Sequence, residues 1–310
     1  MPELPDLTVY LEALAPRVVG EPLERARLAS PFLLRTVAPP LAACEDRRVT
    51  GLGRVGKRLV LALEGELFLV LHLMVAGRLR WLARNARGPG RIVAAAFDFP
   101  RGTLVVTEAA KRKRAALHVV AGGAALAALD PGGVEPLEVA DAVLRAALAR
   151  ENRTLKRALT DPRLVAGIGN AYSDEILWAA RLSPFARTGQ LDDADWAGLI
   201  EAIRTTLRTW VERLRAEAGG RFPGKVTAFR EGMAVHGRFG APCPRCGAPV
   251  QRLVYAENEA NYCAPCQTGG RLLADRALSR LLHGDWPATL EELEERKTAA
   301  RGGGAEAERG

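Results

Sequence analysis

The first residues able to do chemistry stand at the start of the chain, Met1-Pro2-Glu3. Methionine before a residue as small as proline is normally trimmed, which leaves Pro2 with a free secondary amine. An α-amino group has a pKa of about 8, so part of it is neutral and nucleophilic near neutral pH. Its attack on a carbon at the aldehyde oxidation level gives an iminium, the Schiff-base form of covalent catalysis. Glu3 is the adjacent carboxyl, able to give or take the accompanying proton. Many chains begin Met-Pro-Glu without such a role, and these residues alone do not separate the two readings.

Cys243-Pro-Arg-Cys246 and Cys263-Ala-Pro-Cys266 are separated by 16 residues. Each Cys-x2-Cys pair turns two thiolates toward one tetrahedral ion, and two such knuckles joined by a β-hairpin fit zinc. Four protein ligands close the coordination shell, so the one zinc expected here is structural. A redox or disulfide use of the cysteines is the other reading. Cys44 stands alone and reads as a buried apolar thiol. Around the finger, Arg245, Arg252 and Asn258 are candidate phosphate contacts.

Gly167-Ile168-Gly169-Asn170 lies between two helical stretches, with Lys156 and Arg157 on the first. Asn170 falls near the start of the second, where free N–H groups and the helix dipole can hold a phosphate. The same residues fit a plain helix–helix turn with Asn170 as N-cap. Lys57 precedes a hairpin, where a loop can aim it at a phosphate or an active site; a solvated surface lysine is the alternative. The run Lys111-Arg112-Lys113-Arg114 suits either solvent or a phosphate track.

Composition narrows the class. Among 310 residues, Lys and Arg total 44 against 36 for Asp and Glu, a net charge of +8. A basic excess of this size favours a polyanion, nucleic acid before membrane. No apolar run is long enough to span a bilayer, and Pro2, Glu3 and Asp6 stand where a signal peptide would be basic. A cytosolic protein is expected, with thiols or metal ligands in place of disulfides.

The elements that must position these residues follow from periodicity. Residues 3–19 carry Leu4, Leu7, Leu11, Leu14 and Val18 at helical spacing, ended by Gly20. Strands are expected at 59–63, 67–73, 77–81, 92–99, 104–106 and 117–120, with turns at Glu64-Gly65 and Pro100-Arg101-Gly102. Short strands with close turns point to a β-sandwich. Residues 121–139 read as a linker, followed by helices near 139–150, 153–160, 171–181, 192–200 and 200–218. From Arg271 the chain reads as one short helix and a tail too polar to pack.

In this order and spacing the motifs resemble one family, the Fpg/Nei DNA glycosylases (formamidopyrimidine-DNA glycosylase and endonuclease VIII). The resemblance runs over about residues 2–270. It rests on Pro2-Glu3-Leu4-Pro5, Lys57, His72-Leu73 with Gly77-Arg78-Leu79, the segment from Asp161 to Asn170, and the four-cysteine finger. It implies an α+β protein: an N-terminal β-sandwich with an N-terminal helix, a helix–two-turn–helix domain and a C-terminal β-hairpin zinc finger. The expected boundaries are 1–122 for the catalytic domain, 123–138 for the linker, 139–235, 236–270, and an extension over 271–310 that is partly disordered.

The resemblance also implies roles. Pro2 attacks C1′ of a damaged nucleotide, Glu3 protonates the sugar, Lys57 assists, and Lys156 and Asn170 hold phosphates. Reaching C1′ requires the nucleotide to be flipped out of the stack. Three positions depart from the family: Val75 occupies the wedge position, Lys113-Arg114-Ala115-Ala116 lacks an aromatic, and Asn258 replaces the finger arginine. The expectation is a monomeric glycosylase and abasic-site lyase acting on damaged DNA, double- or single-stranded, mainly by β-elimination. A damage binder without catalysis, or a zinc-ribbon interaction module, are the competing readings.

Overall fold

The residues after Pro2 turn helical at once in the computed structural model, which describes residues 1–224, 226, 229–255, 258–273, 287–293 and 295. Helix α1 (Leu4–Val18) has a proline in its first turn, where no N–H is missed, and the Glu3 N–H donates to Asp6 Oδ2 at 2.9 Å. Leu7, Tyr10, Leu14 and Val18 recur on one face of α1 and are buried. The chain separates into two compact units: 1–147 with 161–169 and 207–228, and 148–160 with 170–206 and 229–310.

The first unit holds eight strands: β1 (Arg25–Leu28), β2 (Val49–Val55), β3 (Arg58–Leu63), β4 (Leu67–His72), β5 (Gly77–Leu82), β6 (Val93–Phe99), β7 (Gly102–Glu108) and β8 (Ala116–Ala121). They form two antiparallel sheets, in the orders β1-β6-β7-β5 and β2-β3-β4-β8. Leu59, Leu61, Leu69, Leu71 and Leu117 of one sheet share a core with Leu79, Phe97, Phe99 and Leu104 of the other and with the apolar face of α1. This is the expected sandwich. β1 and β2 were not foreseen. The linker is less plain than expected, since it opens with the short helix α2 (Gly123–Ala127) and continues to α3 (Asp141–Ala149).

The second unit contains α4 (Leu155–Thr160), α5 (Asn170–Ala179) and the start of α6 (Asp193–Ala218). α6 is one helix of 26 residues, where the sequence suggested two. Nothing breaks it: Gly198 is tolerated inside a helix, and Trp196, Leu199, Ile203, Leu207, Trp210 and Leu214 continue one buried stripe. The finger hairpin is β9 (Gln251–Tyr255) with β10 (Asn258–Tyr262), followed by α7 (Ala264–Thr268). Most of the expected C-terminal helix and the whole tail 301–310 lie outside the described residues.

Candidate active site and zinc centre

Pro2 and Glu3 are both buried, Glu3 with 3% of its surface exposed. Two backbone anchors fix them. The Leu4 N–H donates to the Gly167 carbonyl at 2.9 Å, and the Gly169 N–H donates to Glu3 Oε2 at 2.6 Å. Gly167 has φ +81°, a left-handed value suited to glycine. Gly169 is needed for space instead: a methyl there would sit 2.6 Å from Glu3 Oε1 and 2.8 Å from Lys57 Nζ. Lys57, in the turn between β2 and β3, and Glu3 therefore converge on the bare Cα of Gly169. The structure brings together Pro2, Glu3 and Lys57, and adds Gly169, which the sequence reading had taken only as a turn residue.

In the structure Met1 precedes Pro2, and the terminal amine is Met1's. Burial lowers its pKa below the usual value; Arg78 and Lys57 act the same way, while Glu3 and Asp6 oppose them. The corner thus favours a neutral, nucleophilic amine next to a carboxyl and an ammonium. Asp6 was missed as a part of it, although Glu3 and Asp6 have the three-residue offset of a capping box.

The four cysteines Cys243, Cys246, Cys263 and Cys266 have all sulfurs within 4.8 Å of one another. Cys243 and Cys266 are 4.0 Å apart and Cys246 and Cys263 3.4 Å. A tetrahedral zinc with Zn–S bonds of about 2.3 Å sets sulfurs roughly 3.8 Å apart, so the set fits that ion. Burial pushes the Cys243 thiol up, but N–H groups of Arg245, the Trp178 indole and Cys246, with the Cys263 thiol, bring it down to about 6. Trp178 Nε1 lies 3.3 Å from Cys243 Sγ. Burial drives Cys263 and Cys266 upward, and four thiolates this close need a divalent cation to coexist. These residues form a structural zinc site.

Lys156, expected to face a phosphate, is 2% exposed. Its ammonium donates to Asp174 Oδ1 at 2.5 Å and to the Asn170 carbonyl at 2.7 Å. It is committed to holding the start of α5, because a buried ammonium needs such partners. The other oxygen of Asp174 meets His236 Nδ1 at 2.7 Å. Next to it, Glu175 accepts N–H bonds from Ala234, Val235 and His236 at 2.7, 2.9 and 2.9 Å, while burial raises its pKa. Asn170 is the first residue of α5, as expected. Asp174, Glu175 and His236 had no signal in the sequence, since their pairing is made by the fold.

The formamidopyrimidine-DNA glycosylase N-terminal domain matches residues 1–123, its H2TH domain 133–218, and the zinc finger found in FPG and IleRS 240–269. The chain belongs to the formamidopyrimidine-DNA glycosylase family. It is 35% identical over 278 residues to the Thermus thermophilus formamidopyrimidine-DNA glycosylase, covering 87% of this chain and 100% of that one. An uncharacterized formamidopyrimidine-DNA glycosylase-like protein of Mycobacterium tuberculosis is 43% identical over 150 residues, 48% of this chain and 93% of its own. The crystal structure of the Lactococcus lactis Fpg with abasic-site DNA matches with a TM-score of 0.76 and 26% identity, covering 86% of this chain and 99% of that one. As a member of the family, the chain is a DNA glycosylase and abasic-site lyase of base excision repair.

The remaining residues singled out against the Fpg pattern are divided between the two units. Val75, in the β4–β5 turn, is 60% exposed. Arg114 lies in the β7–β8 loop, where Glu108 Oε1 accepts the N–H groups of Arg114 and Ala115 at 2.7 and 3.0 Å. Arg252, on β9, lays its guanidinium 4.7 Å from the centre of the Phe239 ring. Asn258 opens β10 opposite Tyr255, and its side chain lies outside the described residues. Arg245, a candidate phosphate contact, is instead turned onto Trp178: its guanidinium is 4.1 Å from the ring and donates to the Trp178 carbonyl at 2.9 Å. No described helix is long and apolar enough to cross a membrane.

Proposed function

We propose that the chain removes oxidised bases from damaged DNA through the amine of Pro2, once Met1 is gone, and then cuts the abasic strand mainly by β-elimination. The observation that carries this reading is the buried corner in which Glu3 is held by the Gly169 N–H beside Lys57. Pro2 nitrogen attacks C1′, the glycosidic bond breaks, and the base leaves with a proton. Glu3 protonates the ring oxygen and the sugar opens to an iminium. Loss of the C2′ proton expels the 3′ phosphate, and water then hydrolyses the conjugated iminium, freeing the Pro2 amine and leaving an unsaturated aldehyde end. Lys57 supplies positive charge beside the reacting sugar.

DNA as partner is supported by the solved neighbour, whose crystal contains abasic-site DNA. Asn170, Arg114, Val75, Asn258 and Arg252 are the proposed DNA contacts, and Lys156 acts through Asn170. Residues 1–122 form the proposed catalytic domain, 139–235 the helical DNA-binding domain and 236–270 the finger, working in the bacterial cytosol as a monomer. Val75 and the loop around Arg114 offer little surface to replace an extruded base. Base–aromatic stacking is worth roughly 1–3 kcal/mol, so single strands and bubbles should be processed relatively well. Borohydride trapping on an abasic-site oligonucleotide tests the mechanism. Mass spectrometry should place the adduct on Pro2, and an adduct confined to a lysine would refute it.

A further inference from the structure

The turn that carries Lys57 is as short as a hairpin turn can be. Val55 faces Arg58 across β2 and β3, so Gly56 and Lys57 are its two central residues, with Gly56 at φ +57°. A lysine at such a tip has many rotamers open to it. Its backbone must be held before its ammonium can be placed. Arg54, two residues before Gly56, has only 13% of its side chain exposed. Its Nη1 donates to the Gly56 carbonyl at 3.0 Å, and its Nη2 is ion-paired with Glu135 Oε2. The guanidinium is a rigid planar fork, so a partner on each arm fixes its direction as well as its place.

Glu135 is set in turn by its neighbour Val134, which pairs with Val165 as a parallel bridge. The Val134 N–H donates to the Leu164 carbonyl at 3.0 Å, and the Ala166 N–H donates to the Val134 carbonyl at 2.9 Å. The chain leaving that bridge presents Gly167 and Gly169, the two seats of Leu4 and Glu3. Arg54 Nη1 lies 3.2 Å from the point where a methyl on Gly167 would stand, and Lys57 Nζ lies 2.8 Å from the same point on Gly169. Arg54 and Lys57, three residues apart, are thus laid against two glycines two residues apart. All of these residues belong to the first unit. An unbroken run of contacts leads from the backbone of Val134 through Glu135, Arg54 and Gly56 to Lys57.

We propose that Arg54 is a positioning residue for Lys57, and that Glu135 holds Arg54 to that task. The guanidinium does not meet the sugar. It fixes the Gly56 carbonyl and with it the direction in which Lys57 leaves the turn. This rests on the reading of Lys57 as the charge beside the reacting sugar. Without Arg54 the turn keeps its strand pairing but the ammonium loses its register against Gly169. A misplacement near 1 Å is enough to cost on the order of a hundredfold in rate.

The test is a double-mutant cycle on the full chain, read by single-turnover cleavage of an abasic-site oligonucleotide at saturating enzyme. Arg54→Met should slow cleavage at least tenfold, while affinity for an oligonucleotide with a reduced, uncleavable abasic site changes less than threefold. Added to Lys57→Met, the same substitution should cost less than a further threefold, because its effect passes through the lysine. A role in folding alone would multiply through instead, and such an outcome overturns the proposal. Arg54→Lys keeps the charge but cannot reach Gly56 and Glu135 together, so it should restore the rate only in part. It also serves where Arg54→Met fails to fold, and full wild-type rate in Arg54→Lys overturns the proposal. Two failures remain distinct. Lys57→Met cleaving at the wild-type rate removes the role of Lys57 and this proposal with it. Slow Lys57→Met beside wild-type rate in Arg54→Met overturns the role of Arg54 alone.

Discussion

Gly169→Ala separates the chemistry from the fold. The position has no left-handed φ, so alanine fits the backbone, and a lost glycine stabilises by about 0.4–1 kcal/mol through the unfolded chain. The added methyl lies 2.6 Å from Glu3 Oε1 and 2.8 Å from Lys57 Nζ, where ordinary contact begins at 3.4 Å. Glu3 must therefore retreat by about 0.8 Å and Lys57 by about 0.6 Å, the differences between those contacts. Both are the far ends of flexible side chains, so the retreat is cheap and the melting temperature should stay within about 4 °C of wild type. The carboxyl, however, loses its seat on the Gly169 N–H. A misplacement near 1 Å costs on the order of a hundredfold in rate. Single-turnover excision of an oxidised base should fall by that factor, and lysis of a preformed abasic site by less, since the acid matters most for the first step. Excision within threefold of wild type would refute the role given to Glu3, and so would loss of activity accompanied by a collapse in stability.

Gly198→Ala is the matching control: nothing lies within 4 Å of its Cβ position inside α6, so stability should rise by up to about 1 kcal/mol with excision unchanged, read by thermal melting. Cys263→Ser should release the zinc, measured by metal analysis at about one ion per wild-type chain, and unfold the finger, because metal binding is folding free energy for so small a module. The first unit should keep its own cooperative transition. Asn258→Arg should raise the share of δ-elimination over the wild-type β product on denaturing gels, since a guanidinium grips a phosphate that an amide cannot. A wild-type chain yielding mostly the 3′-phosphate end would show that another residue, with Arg252 the first to test, has that role.

What the sequence disclosed depended on whether the signal was local. The hairpin β3–β4 was legible because alternating and continuous apolar runs flank Glu64-Gly65, and the finger because thiolate spacing is set by the ion. β1 was not, since Arg-Ala-Arg-Leu at a sheet edge buries little and shows no alternation. Nor was β2, whose Gly51 and Gly53 lower its own strand preference until β3 pairs with it. At the site, Pro2, Glu3 and Lys57 could be chosen by residue type. The commitment of Lys156 to Asp174 could not, nor the turn of Arg245 onto Trp178, because each partner is supplied by a distant segment.

The same reasoning explains why the reactive corner can sit at a chain end, ordinarily the least ordered part of a domain. Helix α1 is held along its length by Leu7, Tyr10, Leu14 and Val18 in the sandwich core. Beyond its C-terminus, the Gly20 N–H donates to the Val49 carbonyl at 2.8 Å and the Val49 N–H to Glu21 at 3.0 Å. Before its first turn, Leu4 and Glu3 are tied to Gly167 and Gly169, 166 residues from Glu3 in the latter case. A group that must meet a reacting carbon within a fraction of an ångström needs its support fixed in advance. Here that support is the sheet core at one end of α1 and two bare glycines at the other. Pro2 is therefore positioned by the whole of the first unit, and substitutions at Gly169 should act on its chemistry before they act on its stability.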